Sequence, residues 1–336
     1  MRTPRHVFTA AAMLLLATLG TSTPAQQQLF PRGPSAGCGT KHASGLHTNL
    51  PFQSGGLDRT YAVYVPENYN ADPSKPRKVV FDYHGRNGSG EGQYNNSQYF
   101  AYPTGNTYLG VYPSGYPGKN GEPAWQGASY AYPSINDTQF TTSLLAHIAA
   151  NYCIDLSAVY ASGKSNGGGF VDTLACSDAG DAFAAFAMAA AALYTDNSLN
   201  SCKGEKSGKR KRRAIMEAHG DADGTVAPGG GIGNGGTTPN ITTWTGWWGV
   251  RDGCAVGDAV PGTDNKGYNT TTYSCGAGLD GVVKQYWVYG EGHCWPSAKG
   301  NTTDGTRGYC GVHVLNYTPE VIGFFERWTL ANAPGN

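Results

Sequence analysis

The sequence predicts an α/β domain in which a mostly parallel central sheet is covered by helices on both faces. Three observations carry that reading. Short apolar runs of strand length recur between glycine-rich turns, helical patterns lie between several of them, and one run passes through a Gly-x-Ser-x-Gly turn into another helical pattern.

Taken in order, "RTYAVYV" (59–65) alternates with a period of two, as a strand with one buried face does. "KVVFDYHG" (78–85) is an apolar run ending in His-Gly, and "LGVYPSG" (109–115) is similar. "DTQFTTSLLAHIAANYC" (137–153) sets Phe140, Leu144, Leu145, Ile148 and Ala149 on one helical face, with Asp137 suited to the start. "SAVYASG" (157–163) is the strand before Ser165, and "NGGGFVDTLACS" after it reads as a helix. "FAAFAMAAAA" (183–192), "RAIMEAHG" (213–220) and "VVKQYWVYGEG" (282–292) complete the strands, and "TPEVIGFFERWTLAN" near the end is a further helix.

Residues 1–25 have the form of a secretory leader: Arg2 and Arg5, an apolar stretch from about Val7 to Leu19, and small residues ending at Ala25. That stretch is too short and too interrupted to span a bilayer. Residues 26–336 are expected to form a single secreted catalytic domain, acting as a monomer. Hydrophobic residues make up 39% of the chain, enough for a real core. Lys+Arg and Asp+Glu balance at 24 each, so no overall field favours nucleic acid or an anionic membrane.

The eight cysteines are an even number in a chain with a secretory leader, which predicts disulfides, and the lack of a Cys-x-x-Cys pair argues against zinc. Asn-x-Ser/Thr frames at Asn87, Asn95, Asn136, Asn240, Asn269, Asn301 and Asn316 fit a glycoprotein. The strand rising to Ser165 and the helix descending to Cys176 cover similar heights, which predicts a Cys153–Cys176 bridge beneath the sheet. The basic run "KGEKSGKRKRR" (203–213) reads as a solvated surface loop.

Active groups of an open parallel sheet collect at the carboxyl ends of its strands. Ser165 stands there, inside "SGKSNGG", with a strand before it and a helix after it. The second frame, "GPSAG" around Ser35, has neither and is set aside. A nucleophilic serine needs a base, and the base an orienting acid, in the order serine, acid, histidine on this type of sheet. In "HGDADGTV", Asp221 and Asp223 compete for the acid. Asp223 is preferred because His-Gly-x-x-Asp-x-x-Val fits it, which leaves Asp221 to hold a turn. Downstream only His293 and His313 remain, and His293, in "YGEGHCWP" at a strand end, is the expected base. His84 and His219 are expected to support turns. The backbone N–H groups of Asn166 and Arg86 are the expected oxyanion donors.

The elbow "ASGKSNGGGF", the upstream "YCID", "WQGA" before the helix, the His-Gly-x-x-Asp-x-x-Val segment and "GHCWP" together resemble secreted fungal feruloyl esterases. These belong to a carbohydrate-esterase group that also resembles extracellular poly(3-hydroxybutyrate) depolymerases. The resemblance runs from about Gly37 to the end. It implies an α/β-hydrolase fold and hydrolysis of hydroxycinnamoyl esters on arabinoxylan or pectin, with no cofactor and no metal. It matches Ser165 to the nucleophile, Asp223 to the acid and His293 to the base. Trp125 and Trp295 are expected to line the substrate pocket. The alternatives are an acetylxylan esterase, a polyhydroxyalkanoate depolymerase and a non-catalytic carbohydrate-binding protein on the same scaffold.

Overall fold

Gly55 and Gly56 both take positive φ, 60° and 77°, as a two-residue type I′ turn requires. They join β1 (Gly45–Ser54) to β2 (Leu57–Val65) in an antiparallel hairpin. This opens the sheet of a computed structural model that describes residues 32–194, 197–198, 201–202, 211–255 and 257–335. The expected leader and residues 203–210 of the basic run lie outside them.

The remaining strands of the main sheet are β3 (Arg77–Tyr83), β4 (Leu109–Pro113), β5 (Ile154–Lys164), β6 (Ala185–Ala189), β7 (Ile215–Gly220), β8 (Ala259–Pro261), β9 (Tyr268–Tyr273) and β10 (Val283–Val288). The ten strands lie in the order β1-β2-β4-β3-β5-β6-β7-β10-β9-β8. From β4 to β10 every neighbouring pair is parallel. β4, β6 and β7 are buried along their whole length, as central strands covered on both faces must be.

β1, β8 and β9 are not among the strands expected from the sequence. β1 carries an exposed Pro51 and is mostly half-buried, as an edge strand tolerates. β9, "YNTTTY", is polar and half-buried, so it lacks an apolar period.

The helices are α1 (Gly90–Ser97), α2 (Asp137–Asn151), α3 (Asn166–Ala175), α4 (Ile241–Asp252), the single turn α5 (Thr303–Thr306) and α6 (Tyr317–Phe325). Side-chain oxygens of Ser89, Asn136 and Asn240 accept amide protons in the first turns of α1, α2 and α4. α6 ends before the "ERWTLAN" of its helical pattern because Leu330 N–H bonds to Ser157 O at 2.8 Å and draws the chain onto the foot of β5.

Two further expectations are corrected. Cys153 bonds to Cys38, not to Cys176. The segment around Ser35 clips onto the foot of β5 and the last turn of α2, with Ser35 N–H bonding to Ile154 O and Gly37 N–H to Ala149 O, each at 2.9 Å. Cys176 faces α4 instead, 3.3 Å from Arg251 Nη1, and is itself in a disulfide. Matching heights did not fix the lateral position. The end of the basic run is not a solvated face either. Lys211 and Arg213 are buried, and both pair with Asp181.

Candidate active site

β5 ends at Lys164 and α3 begins at Asn166, so Ser165 alone makes the turn. Its φ of 57° lies in the left-handed region, where a side chain other than glycine is strained. The bend is held because the flanking glycines admit a close backbone approach. A Cβ on Gly167 would sit 2.2 Å from Tyr83 O, and one on Gly163 would sit 2.7 Å from the carbonyl carbon of Gly167. α3 therefore packs directly on the end of β3 and aims its N-terminus at Ser165.

His293 Nε2 lies 2.8 Å from Ser165 Oγ, and His293 Nδ1 lies 2.8 Å from Asp223 Oδ2. Three side chains from three strand ends thus form one hydrogen-bonded relay. Asp223 is fixed by the N–H groups of Thr225 and Val226, each donating to Oδ1 at 2.8 Å. Asp221 accepts from Gly290 N–H at 2.6 Å and ties the exit of β10 to that of β7. The bridge between Cys294 and Cys310 and a bond from Gly292 N–H to Cys310 O at 2.7 Å hold the loop of His293 from both sides.

Burial and the Lys164 cation pull the His293 pKa below its ordinary value, and Asp223 offsets this only in part. The imidazole is therefore neutral near pH 7 and able to take a proton. Burial alone would raise Asp223, but hydrogen bonds from His219 and His293 outweigh it and leave the carboxylate well below its usual range.

His219 does more than the expected turn support. Its Nε2–H donates to Val226 O at 2.8 Å and stands 3.4 Å from Asp223 Oδ2, while Nδ1 meets Glu217 Oε1 at 2.8 Å. Burial works against its charge, yet the carboxylates of Glu217 and Asp223 push its pKa up to about 10. A buried imidazolium thus backs the acid of the relay.

His84 does hold a turn, the one that carries Arg86. Its Nε2 accepts from Gly115 N–H at 2.8 Å and its Nδ1 donates to Gly85 O at 2.6 Å, so the neutral Nδ1–H tautomer is required. Burial favours the same state, lowering its pKa to about 4. A Cβ on Gly85 would come 3.1 Å from Ser165 Cβ, which shows how tightly this turn covers the elbow. Asn87 N–H and Gly88 N–H are engaged by Pro123 O and Gly85 O, whereas the N–H groups of Arg86 and Asn166 have no acceptor among the described residues.

Neither predicted pocket tryptophan lines the cleft. Trp125 is fully buried: its Nε1–H donates to His84 O at 2.7 Å, its N–H to Asn166 Oδ1 at 2.8 Å, and its ring stacks on Phe170. Trp295 is also fully buried, with Nε1–H on Thr318 Oγ1 and N–H on Asp304 Oδ2, each at 2.9 Å. Both brace the site from behind, because their polar groups are satisfied inside the core.

Two cavities meet at Ser165. One of about 610 Å³ is lined by polar side chains such as Gln93, Asn96, Lys164 and Asp304. The other, about 200 Å³, lies against the glycine-rich segment 230–236, Tyr130 and Tyr194. Lys164 pairs with Asp304 at 3.2 Å at the wall of the larger one. None of these four lining groups nor the tyrosines carries a sequence signal: Gln93 and Asn96 lie on α1, a polar helix without an apolar period, Asp304 lies on the single turn α5, Lys164 lies beside the motif, and the tyrosines lie in loops. Glu291, Cys294 and Cys310 lie close enough to suggest a metal centre, but the two sulfurs are bonded to each other.

A strained serine on a strand-to-helix elbow, with a histidine and an aspartate in line, is the arrangement of a serine hydrolase on an α/β-hydrolase fold. In sequence the chain is feruloyl esterase-like. It is 27% identical over 208 residues to "Feruloyl esterase D" of Neurospora crassa, covering 57% of this chain and 63% of that protein. It is 26% identical over 206 residues to "Probable feruloyl esterase C" of Aspergillus flavus, covering 59% and 65%. The chain thus spans just under two thirds of the length of these relatives. Among solved structures, an acetyl xylan esterase from Aspergillus awamori superposes with a TM-score of 0.55 at 18% identity, over 84% of this chain and 100% of that one. A thermostable esterase gives 0.51 at 13% identity, over 84% and 63%. No family model matches the chain. No helix of the described residues is long and apolar enough to cross a membrane.

Proposed function

We propose that the chain is a secreted serine esterase that hydrolyses feruloyl and related hydroxycinnamoyl esters of plant cell-wall polysaccharides. The observation that carries this reading is the unbroken line Ser165 Oγ, His293, Asp223, with both links at 2.8 Å. The names of the curated relatives support the acyl group, and the leader-like residues 1–25 support the extracellular setting.

Ser165 Oγ attacks the ester carbonyl as His293 Nε2 takes the hydroxyl proton. The oxyanion settles on the N–H groups of Asn166 and Arg86, at the N-terminus of α3. His293 returns the proton to the departing sugar oxygen, which leaves the acyl group on Ser165. Water, deprotonated by the same imidazole, then releases ferulate and restores the serine. Asp223 holds the ring with Nε2 toward Ser165 and balances the imidazolium charge at each transfer.

The test is a panel of methyl ferulate, acetylated xylan and polyhydroxybutyrate film, run with the wild type and Ser165→Ala. The expected result is release of ferulate by the wild type and a fall of at least about 10³-fold in kcat for the variant. A Ser165→Ala protein of undiminished activity overturns the mechanism, and a preference for acetylated xylan replaces the feruloyl reading with the acetyl one.

A further inference from the structure

The two cavities beside Ser165 differ in what they offer a ligand. The larger presents charged and amide side chains, which suit a hydroxyl-rich sugar chain. The smaller is lined by Ala192, Val226, Ala227 and Ile232, with bare glycine backbone between them. Its 200 Å³ lies below the ~300 Å³ at which drug-sized sites begin, so it suits one flat ring on a short stem.

Two phenols, Tyr130 and Tyr194, stand in that smaller wall beside Arg86, Thr225, Asn234 and Thr238. Tyr130 Oη and Tyr194 Oη lie 2.9 Å apart. One of them must donate to the other, which leaves the second hydroxyl proton and spare lone pairs free for a ligand. The pair is deliberately placed. A Cβ on Gly235 would stand 2.0 Å from Tyr194 Oη, so only glycine lets that ring lie where it does. The residue before Tyr130 ties the same loop down: Ser129 N–H donates to Gly235 O at 2.8 Å and Ser129 Oγ to Asn234 O at 3.2 Å. The Arg86 guanidinium lies 4.5 Å over the Tyr130 ring and fixes its other face. Ile232, 93% exposed, extends the apolar wall outward.

We propose that the smaller cavity receives the acyl group, and that the Tyr130–Tyr194 hydroxyl pair binds the ring hydroxyl of a hydroxycinnamoyl ester. The inference rests on the esterase reading above and assigns the larger cavity to the sugar. A site that hydrogen-bonds a substrate hydroxyl discriminates strongly against the analogue lacking it, because its own polar groups are then left unpaired.

Methyl 4-hydroxycinnamate and methyl cinnamate differ by that hydroxyl alone. The measurement is the ratio of their kcat/KM values for the wild type, Tyr130→Phe and Tyr194→Phe. The wild type is expected to favour the hydroxylated ester, and the ratio to fall about tenfold in each variant. A ratio that stays fixed, with both esters slowed equally or not at all, overturns the proposal. Binding of free 4-hydroxycinnamate and cinnamate to Ser165→Ala, by calorimetry, tests the same pocket without altering either tyrosine. Tighter binding of the hydroxylated acid is expected, and equal affinity overturns the assignment. A wild type that cleaves 4-nitrophenyl acetate but neither cinnamate ester overturns the hydroxycinnamoyl reading itself, a result distinct from an unchanged ratio.

Discussion

Replacing His219 by Gln removes a buried positive charge from behind the relay while keeping an amide able to donate toward Val226 O. His219 Nε2 and His293 Nδ1 both address Asp223 Oδ2, at 3.4 and 2.8 Å, so they are at most about 6 Å apart. At an effective dielectric of about 20, a unit charge at ~6 Å is worth about 2.8 kcal/mol, or about two pH units. The wild-type imidazolium opposes a second proton charge on His293, so its loss raises the His293 pKa. The base must be neutral to act, and the acidic limb of kcat/KM therefore moves up, by one to two units after screening. Glu217 loses its cation in the variant, but burial already pushes its pKa up, so it takes a proton and remains tolerable in the core. The assay is a pH profile of methyl ferulate hydrolysis between about pH 4 and 9, with circular dichroism to verify the fold. A limb that stays in place, or moves down, refutes a charged His219.

Other sites give sharper stability or rate effects. Lys164→Met is expected to move the same limb upward, since the Lys164 cation also depresses His293; an unmoved profile contradicts that. Gly167→Ala forces a Cβ to within 2.2 Å of Tyr83 O and is expected to cost about 3 kcal/mol or more in urea unfolding, along with loss of activity. Arg59→Met strands the fully buried Asp137, now paired at 2.8 Å, and is expected to destabilise by about 3–5 kcal/mol, read from the denaturation midpoint.

The relay was legible because each member follows an apolar run and marks its end. A strand's carboxyl end is a place in space as well as in sequence, so Ser165, Asp223 and His293 were readable without knowing how the strands are ordered. The pocket was not legible in that way. Whether Trp125 or Trp295 faces a cleft depends on which way the ring turns, and both turned inward to satisfy their N–H groups. Tyr130 and Tyr194 stand 64 positions apart in loops, and only the fold brings their hydroxyls together. Cys153 escapes the expected pairing with Cys176 for a related reason. Distances along a strand follow from residue count, but the neighbour across the sheet does not, and the segment from Pro34 claimed Cys153. His219 was visible as a residue and invisible as a charge, since that depends on Glu217 lying beneath it.

The bridge at Cys294 has an implication for when the protein becomes competent. Elbow and nucleophile are shaped by glycine packing on β3 and need no oxidation, whereas the histidine that must reach them is the immediate neighbour of a crosslinked sulfur. A chain newly made among reducing thiols is therefore expected to carry its serine in place and its proton acceptor adrift. Such a protein would stay inert until the bridge between Cys294 and Cys310 closes; refolding it with and without a thiol oxidant, and timing the return of activity, measures that delay.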